Sequence, residues 1–492
     1  MKRQLAVLLL TGILANLAAC SGDAPAAGDM MTANAEISTA AEEARFADNL
    51  PEDLDFGGEV VTFLYREEKV NEFSVEEATG DVVDDALYNS HRSVEERLNV
   101  KIETIAREGH LNPARGEYMT HVSTTAMAGD SVYDWVDLMI GNAPVKMVEG
   151  IFLDLAQNKY MDLSKPWYLE GMMDKMAIDE KLYFVSGDAS LGYLKCAFCL
   201  YFNAALVEDY KLGNLYDIVD SGKWTMDKLA EISASASQDV NGDSKYDEND
   251  KLGLIVHDNN HPWGFIAALE LNTYDKAAKK FTFGTDRDSK VIDAMYNQFF
   301  RAEGSWFPDI SNGNDNHLEQ YNNISKKFVS GDVLIMTAEL DDAVMQFRDM
   351  KDNYGILPYP KLDENQENYH AGSRSTHNAF SLLITSEDPD RAGAVMEALA
   401  SSNYATVLPA YFETALKVKY SRDDDSARMF DLIRSVMTLD FGYVYSNAIG
   451  APMSVISSIY KTENSIASNV ASNKERLDME LKTYLERLTK LN

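Results

Sequence analysis

The sequence contains few cysteines and few basic residues. Each shortage excludes a class of protein to which the chain could otherwise belong. Three cysteines in 492 residues are too few for a disulfide framework. Lysine and arginine number 45 against 79 aspartates and glutamates, giving a formal charge of −34. Such a chain repels the phosphates of nucleic acids, so no nucleic-acid partner is expected. The acidity is equally compatible with a trait that only favours solubility.

The sequence also lacks the short motifs that mark several enzyme classes. It contains no GxSxG, HExxH, GxxxxGK[ST] or GxGxxG pattern. Glycosidases use a pair of catalytic carboxylates, but acidic residues are so frequent in this chain that finding such a pair does not indicate a glycosidase. We therefore expect no catalytic residues.

Only the amino terminus contains a sustained apolar run, and the remaining chain has no run of 18 apolar residues. Lys2 and Arg3 precede an apolar stretch that ends in Leu-Ala-Ala-Cys20. This pattern predicts a signal peptide over residues 1–19. The last four residues resemble the bacterial lipobox, in which the cysteine thiol carries lipid. Ordinary secretion, with Cys20 an incidental thiol, is the alternative.

Residues 21–50 are rich in Ala, Ser, Thr, Asp and Glu, with no aromatic residue before Phe46. Such a segment cannot bury enough apolar surface to fold alone. We predict a lipidated Cys20 and a flexible tether over 20–54. At least two acyl chains would then hold the protein at the outer face of the cytoplasmic membrane, in an extracellular or periplasmic setting.

Strand-like and helical patterns alternate after the tether, over a length too great for one core. Strands are predicted at 57–65, 100–105 and 131–140, with a helix at 84–98 between the first two. This β-α-β order predicts a parallel sheet with helices on its faces.

A second α/β region is predicted to begin near Pro166. It includes a strand at 196–203, a helix with Thr225 as its N-cap, and a strand within 328–336. A strand at 379–385, a helix at 390–401 capped by Ser386 or Asp390, and an amphipathic helix at 463–491 follow. The fold class is therefore α/β, with at least two lobes.

Six short segments, in order, resemble the extracellular solute-binding proteins of family 1, the substrate-binding lipoproteins of carbohydrate-type ABC importers. The similarity covers roughly residues 55–460 together with the lipobox. The helix-start segment departs from the family because it carries no proline. The segments after the lipobox are Tyr133–Asp137, Tyr201–Asp209, Gly222–Leu229, Phe328–Met336 and Tyr354–Lys361.

The resemblance implies a periplasmic-binding-protein-like fold, in which two α/β lobes joined by a hinge close on a ligand in the cleft between them. Lobe one is predicted at 55–165 plus 310–378, lobe two at 166–309 plus 379–450, and a C-terminal helical segment at 451–492. It also implies a monomer that delivers a sugar or oligosaccharide to the transmembrane subunits of an ABC permease. The alternatives are a glycan-active or glycan-binding surface lipoprotein unconnected to an importer, and an importer subunit for a non-sugar polar solute.

Candidate ligand-binding residues are aromatic and polar side chains near turns. Aromatic rings stack on the apolar C–H faces of sugars, while carboxylates and guanidinium groups bond to hydroxyls. Each candidate also fits a packing or turn role. The set is Trp263, Trp306, Tyr359, Arg374 and Asp188.

The segment Asp239–Asp250 has the spacing of a twelve-residue EF-hand-type loop, which predicts a structural Ca²⁺ site. A solvated acidic loop is the alternative. Oxygen side chains occupy loop positions 1, 3, 5, 9 and 12, and a backbone carbonyl occupies position 7. The predicted ligands are Asp239, Asn241, Asp243, Lys245, Asp247 and Asp250.

Two further residue pairs allow either a structural or a functional interpretation. Cys196 and Cys199 lie in a predicted buried strand, which favours structural thiols over a disulfide or a redox site. His257 and His261 have HxxxH spacing, but Pro262 argues against one helix that carries both as metal ligands.

Overall fold

A computed structural model describes residues 48–169, 171–257, 260–271, 273–308, 317–412, 424–457 and 466–491. The predicted signal peptide, Cys20 and most of the predicted tether lie outside this part of the chain. Within the described residues, no helix combines the length and the apolar character needed to cross a bilayer.

The strands of the described residues form two principal sheets and one small hairpin. In chain order they are β1 Glu59–Arg66, β2 Val100–Arg107, β3 Trp135–Met139, β4 Phe198–Asn203, β5 Leu252–Ile255, β6 Tyr274–Asp275, β7 Lys280–Phe281, β8 Ser305–Trp306, β9 Val333–Glu339, β10 Tyr354–Leu357 and β11 Asn378–Leu382.

Helices alternate with these strands and cover the sheets. In chain order they are α1 Val82–Leu98, α2 Ala114–Ala128, α3 Ala143–Met147, α4 Gly192–Lys195, α5 Ala204–Asp209, α6 Leu215–Asp220, α7 Met226–Ser235, α8 His261–Ala268, α9 Asp286–Phe300, α10 His317–Val329, α11 Asp342–Met345, α12 Pro389–Ala405, α13 Val407–Pro409, α14 Asp424–Ser435, α15 Phe441–Val444, α16 Met453–Ser457 and α17 Ile466–Thr489.

The first sheet has the strand order β11-β3-β1-β2. Strand β1 pairs in parallel with both β2 and β3, while β11 runs antiparallel to β3. Helix α1 connects β1 to β2, so the predicted β-α-β unit is confirmed. Its start is fixed by Asp81, whose side chain accepts a hydrogen bond from the Val83 backbone N–H, and it ends at Asn99 in the left-handed conformation.

The second sheet has the order β10-β4-β9-β5-β8, with β5, β8 and β9 mutually parallel. Strand β4 runs antiparallel to both β9 and β10. All six residues of β4 are buried, as are the first six of β9, because helices cover both faces of this sheet.

The sheet pairing corrects the predicted division of the chain into lobes. Residues 310–378 were predicted in lobe one, but β9 and β10 pair with β4 in the second sheet. Residues from 379 onward were predicted in lobe two, but β11 pairs with β3 in the first sheet. The sequence predicted strands at the positions of β9 and β11 but none at β10. The sheet that each of them joins depends on pairing with β4 or β3, which lie more than a hundred residues away in the chain.

From these pairings, the described residues within 48–190 and 378–412 are assigned to lobe one, and those within 198–371 and 424–436 to lobe two. The segment 166–190 belongs to lobe one rather than lobe two, because Val185 bridges to Phe380 of β11. Helix α14 packs against β10 and therefore belongs to lobe two. The carboxyl-terminal helix α17 contacts both lobes: it packs against β7, and Tyr484 donates a hydrogen bond to the Pro144 carbonyl at 2.8 Å.

Of the two N-caps predicted from the sequence, one is confirmed and one is wrong. The Thr225 side chain accepts a hydrogen bond from the Lys228 backbone N–H, which confirms it as the N-cap of α7. Helix α12 is capped by Asp388 rather than by Ser386 or Asp390, because Pro389 supplies the first helical position.

The first described residue is fixed to lobe one by an ion pair. Both terminal nitrogens of Arg97 donate to the Asp48 carboxylate, at 2.7 and 2.8 Å. The Asp48 side chain is fully buried in this contact. The chain therefore enters the folded body beside helix α1.

A buried carboxyl on α12 makes the stability of lobe one depend on pH. Tyr168 donates to Glu397 at 2.6 Å, and burial raises the pKa of Glu397 to about 7. Between its ordinary value of 4.5 and about 7, the folded chain holds a proton that the unfolded chain releases. This group therefore lowers the free energy of unfolding as pH rises through that window.

We expect Glu397→Gln to remove this contribution, since the amide keeps an acceptor for Tyr168 and does not titrate. The dependence of unfolding free energy on pH should change by up to about 1.4 kcal/mol per pH unit, the value for one proton. Urea unfolding of parent and variant from pH 5 to pH 8 measures this. Parallel curves for the two proteins would contradict the assignment.

Candidate functional site: the junction of the two lobes

Two segments of the chain cross between the sheets and define where the lobes face each other. Segment 191–197 leads into β4, and segment 372–377 leads into β11. They are hydrogen-bonded to each other, from Phe198 N to Gly372 O at 2.9 Å and from Arg374 N to Cys196 O at 3.0 Å. Because β4 and β11 are antiparallel to their neighbours, both segments meet their sheets at the carboxyl ends of the parallel strands. Ligands of open α/β sheets bind at such ends.

On the lobe-one side, a buried ion pair closes the carboxyl end of β1. Arg66 donates from Nε to Asp137 Oδ2 at 2.6 Å and from Nη2 to Oδ1 at 3.1 Å, and both side chains are almost fully buried. A third nitrogen, Nη1, donates to the Thr376 carbonyl of the crossing segment at 3.1 Å. The pair therefore connects the edge of lobe one to the crossing segment 372–377.

On the lobe-two side, Arg374 forms an ion pair with Glu339, the last residue of β9. Its Nη2 lies 3.4 Å from Nε2 of His261, at the start of α8. The next carboxylate, Asp342, accepts hydrogen bonds from the Tyr321 hydroxyl at 2.9 and 3.1 Å, and burial raises its pKa to about 7. Arginine and carboxylate groups are thus concentrated at the end of β9.

Trp263 lies on α8, two residues after His261, and is partly exposed. Its ring centroid is 5.7 Å from that of Tyr443 on α15. The Tyr443 hydroxyl accepts a hydrogen bond from the Ser375 backbone N–H at 3.1 Å, beside Arg374. Trp263 and Arg374 are therefore brought to the same crossing segment.

Trp306 ends β8 and is also partly exposed. Its residue pairs with Ile255, and its carbonyl accepts from Val256 N at 3.0 Å. Trp306 thus lies at the same carboxyl edge of the second sheet as Glu339. The structure places three of the predicted residues, Trp263, Trp306 and Arg374, along this edge.

Tyr359 and Asp188 are placed differently, in buried packing positions. Tyr359 is 1% exposed, its ring lies 4.5 Å from that of Phe265, and its hydroxyl donates to the His261 carbonyl at 3.3 Å. Asp188 is 4% exposed and accepts a 2.5 Å hydrogen bond from the Tyr193 hydroxyl, while burial raises its pKa to about 7. Both side chains therefore lie in the interior rather than on the partly exposed edge.

Sequence reasoning missed several residues of the junction. Asp137 was available as a signal, because it is a lone carboxylate in the otherwise apolar strand Trp135–Met139. Glu339 and Tyr443 carried no local signal, since their positions depend on contacts with residues far away in the chain. His261 was considered only as a metal ligand; its Nδ1 instead lies 2.9 Å from the Thr337 hydroxyl.

The acidic loop at Asp239–Asp250 folds around its own backbone. Asp239 accepts from the backbone N–H groups of Gly242 and Ser244 at 2.7 and 2.9 Å, and Asp250 accepts from those of Val240 and Asp247. Across the described residues, no three His, Cys, Asp or Glu side chains converge as a metal site. The side chains as placed do not form a Ca²⁺ cage, and the site stays a prediction.

The two thiols are buried and free in the structure. Burial raises the pKa of both Cys196 and Cys199, which keeps them in the unreactive protonated form. This agrees with structural thiols, although only Cys199 lies in β4 and Cys196 lies in the crossing segment before it.

The fold is shared with solved structures of binding proteins. The sugar-binding protein MalE from Xanthomonas citri matches with a TM-score of 0.58 at 13% identity, over 86% of this chain and 98% of that one. The galacto-N-biose-/lacto-N-biose I-binding protein of an ABC transporter from Bifidobacterium longum matches with a TM-score of 0.55 at 12% identity, over 87% and 98%. The GacH receptor of Streptomyces glaucescens, solved unliganded and with acarbose, matches with a TM-score of 0.54 at 14% identity, over 87% and 99%.

At these identities the likeness establishes the fold: α/β, periplasmic-binding-protein-like, with two lobes. No protein-family model and no curated protein sequence matches the chain.

Proposed function

We propose that this chain is the extracytoplasmic substrate-binding lipoprotein of an ABC importer, which captures a sugar or oligosaccharide by hinge closure and delivers it to the permease. The observation that carries the proposal is the meeting of aromatic and charged side chains at facing strand ends, in a fold whose solved relatives are sugar-binding proteins. Trp263 and Trp306 offer ring faces to sugar C–H groups, and Arg374 with Glu339 offers partners for hydroxyls. No catalytic step is assigned to these residues.

The two crossing segments supply the hinge. Among the described residues they connect the two principal sheets, and they would change conformation if the lobes rotated while each sheet moved as a rigid body. Ligand that contacts both lobes stabilises the closed form and shifts the population toward it. In an importer of this kind, the permease distinguishes the closed, loaded form.

The proposal is tested by calorimetry of the full chain against a panel of neutral mono- and oligosaccharides, followed by small-angle scattering. We expect saturable binding of one series and a smaller radius of gyration with ligand present. Turnover of the bound sugar would favour the glycan-active alternative. Binding of a polar solute but of no sugar would favour an importer of another class. Tight binding with an unchanged radius would remove the closure mechanism.

Lipid attachment at Cys20 is part of the same proposal and has its own test. We expect Cys20→Ser to abolish partition of the mature protein into detergent, because no other residue of the predicted lipobox offers a thiol. Phase separation of membranes from cells expressing parent and variant measures this. Equal detergent partition of the two proteins would contradict lipid attachment at Cys20. Ordinary secretion, with membrane attachment by another part of the protein, would then be the interpretation.

Calcium binding at the acidic loop is a separate proposal that rests on the EF-hand-type spacing alone. A bound cation would raise the melting temperature, because it stabilises only the folded state. We expect a higher value with Ca²⁺ than with chelator, and no difference for the double variant Asp239→Ala, Asp243→Ala. Identical melting curves for the parent in the two conditions would favour the solvated loop.

A further inference from the structure

A cavity of about 610 Å³ lies beside the junction of the lobes, and the proposed function does not use it. Four parts of the chain line it, and we call it the side groove. They are Asp174–Lys175 of lobe one, the end of α8 at Ala267–Leu271 together with His370, the β6–β7 hairpin with its flanks at Tyr274–Thr282, and Thr438–Phe441. The volume falls within the range of small-molecule sites.

The side groove adjoins Trp263 through two elements. Ala267 is four residues after Trp263 on α8, so the two side chains share one face of the helix about 6 Å apart along its axis. Tyr443, whose ring meets that of Trp263, is two residues beyond Phe441 of the groove. A ligand that stacks on Trp263 would therefore reach the side groove about one helical turn further along α8.

The lining is suited to a hydroxyl-rich, uncharged chain. Tyr274 and Phe441 stack with ring centroids 3.9 Å apart at its base. The Glu270 carboxylate lies between Arg287 at 2.8 Å and His370 at 3.0 Å, so each of its oxygens has a side-chain partner. Four carboxylates and two lysines line the groove, and this excess of negative charge disfavours an anionic ligand.

The groove also spans both lobes. The Lys276 ammonium of the hairpin donates to the Asp174 carbonyl of lobe one at 3.1 Å. A second bridge joins Lys279 of the hairpin to Asp179. A chain lying in the groove would contact both lobes at once, and so would add to the closed form a contact that a single sugar unit on Trp263 does not make.

We propose that the ligand site continues from Trp263 into the side groove, and that the captured solute is a neutral oligosaccharide rather than a monosaccharide. This inference rests on the proposed function and specifies the size of its ligand. The affinity should rise with the number of sugar units until the groove is filled, because each added unit removes further apolar surface from water.

The test uses the full chain and one series of neutral oligosaccharides, from one to six units, titrated calorimetrically into three proteins. Ala277→Trp places an indole in the groove from an exposed position on the hairpin. Its matched control is Ala278→Trp, the next exposed residue of the same turn, which does not line the groove. We expect long oligomers to bind the parent and the control at least tenfold more tightly than short ones. Ala277→Trp should lose that advantage while it binds short members normally.

Each other result overturns the inference in a recognisable way. Equal affinity of the parent for short and long members removes the extension but leaves the proposed function intact. Equal losses in Ala277→Trp and Ala278→Trp show that the hairpin, not the groove, was disturbed. Absence of binding by any member removes the proposed function together with the extension. If Ala277→Trp fails to fold, His370→Ala replaces it, with the same selective loss for long members expected.

Discussion

Replacing Asp137 with alanine is expected to lower the free energy of unfolding by about 3–5 kcal/mol, the range for breaking a buried ion pair by removing one partner. The reason is the guanidinium of Arg66, which is 1% exposed and would keep its charge without the carboxylate that compensates it. Its remaining contacts, with the Thr376 carbonyl and with His110, are neutral at ordinary pH, since burial lowers the pKa of His110 to about 4. Urea unfolding followed by circular dichroism measures the loss.

Two further variants separate lost charge compensation from lost packing. Glu103→Gln removes the partner of Lys101 in an exposed ion pair and should cost less than about 1 kcal/mol. The double variant Arg66→Met, Asp137→Leu removes both buried charges and should recover much of the stability lost by Asp137→Ala. If the double variant is no more stable than Asp137→Ala, packing rather than charge explains the effect. A cost below about 1 kcal/mol for Asp137→Ala itself would contradict the role assigned to this pair.

Replacing Trp263 with alanine is expected to weaken ligand binding by roughly tenfold or more. An aromatic contact contributes about 0.5–1.5 kcal/mol beyond the apolar area that it buries, and 1.4 kcal/mol corresponds to a factor of ten. The indole is partly exposed and contacts Tyr443, so its removal should leave the melting temperature almost unchanged. Calorimetry with the sugar that binds the parent gives the affinity.

The control for Trp263 is substitution by phenylalanine, which keeps a ring face and should retain most of the affinity. Trp306→Ala tests the second tryptophan of the same strand edge in the same assay. Unchanged affinity in both alanine variants would mean that the two rings are scaffold, and the ligand would then have to be sought along another part of the junction.

The fold was predictable from the sequence wherever the signal is local. The alternation of apolar residues places β1, α1 and β2 within a few residues of their observed bounds, and Thr225 was recognisable as a cap from its side chain alone. The membership of β9, β10 and β11 was not predictable in this way. Each is a short buried strand, and its apolar pattern is the same whichever sheet it joins.

For the candidate site, the sequence predicted which kinds of residue to consider but not which of them are exposed. The search for aromatic residues near turns selected Trp263 and Trp306, which the structure leaves partly exposed, but it also selected Tyr359, which the structure buries against Phe265. Whether an aromatic ring near a turn faces the core or the cleft depends on what packs over it. That information comes from residues such as Phe198 and Phe265, which lie far from Tyr359 in the chain.

The ion pair between Asp48 and Arg97 decides which half of the molecule is joined to the amino-terminal chain. The chain enters the body at lobe one, so a lipid anchor on a flexible tether would be linked to lobe one and would leave lobe two without a direct connection to the bilayer. The orientation of the body above the lipid would then vary while the lobes open and close. A pair of spectroscopic labels, one on α1 and one on lobe two, would accordingly report ligand capture as a change in their separation.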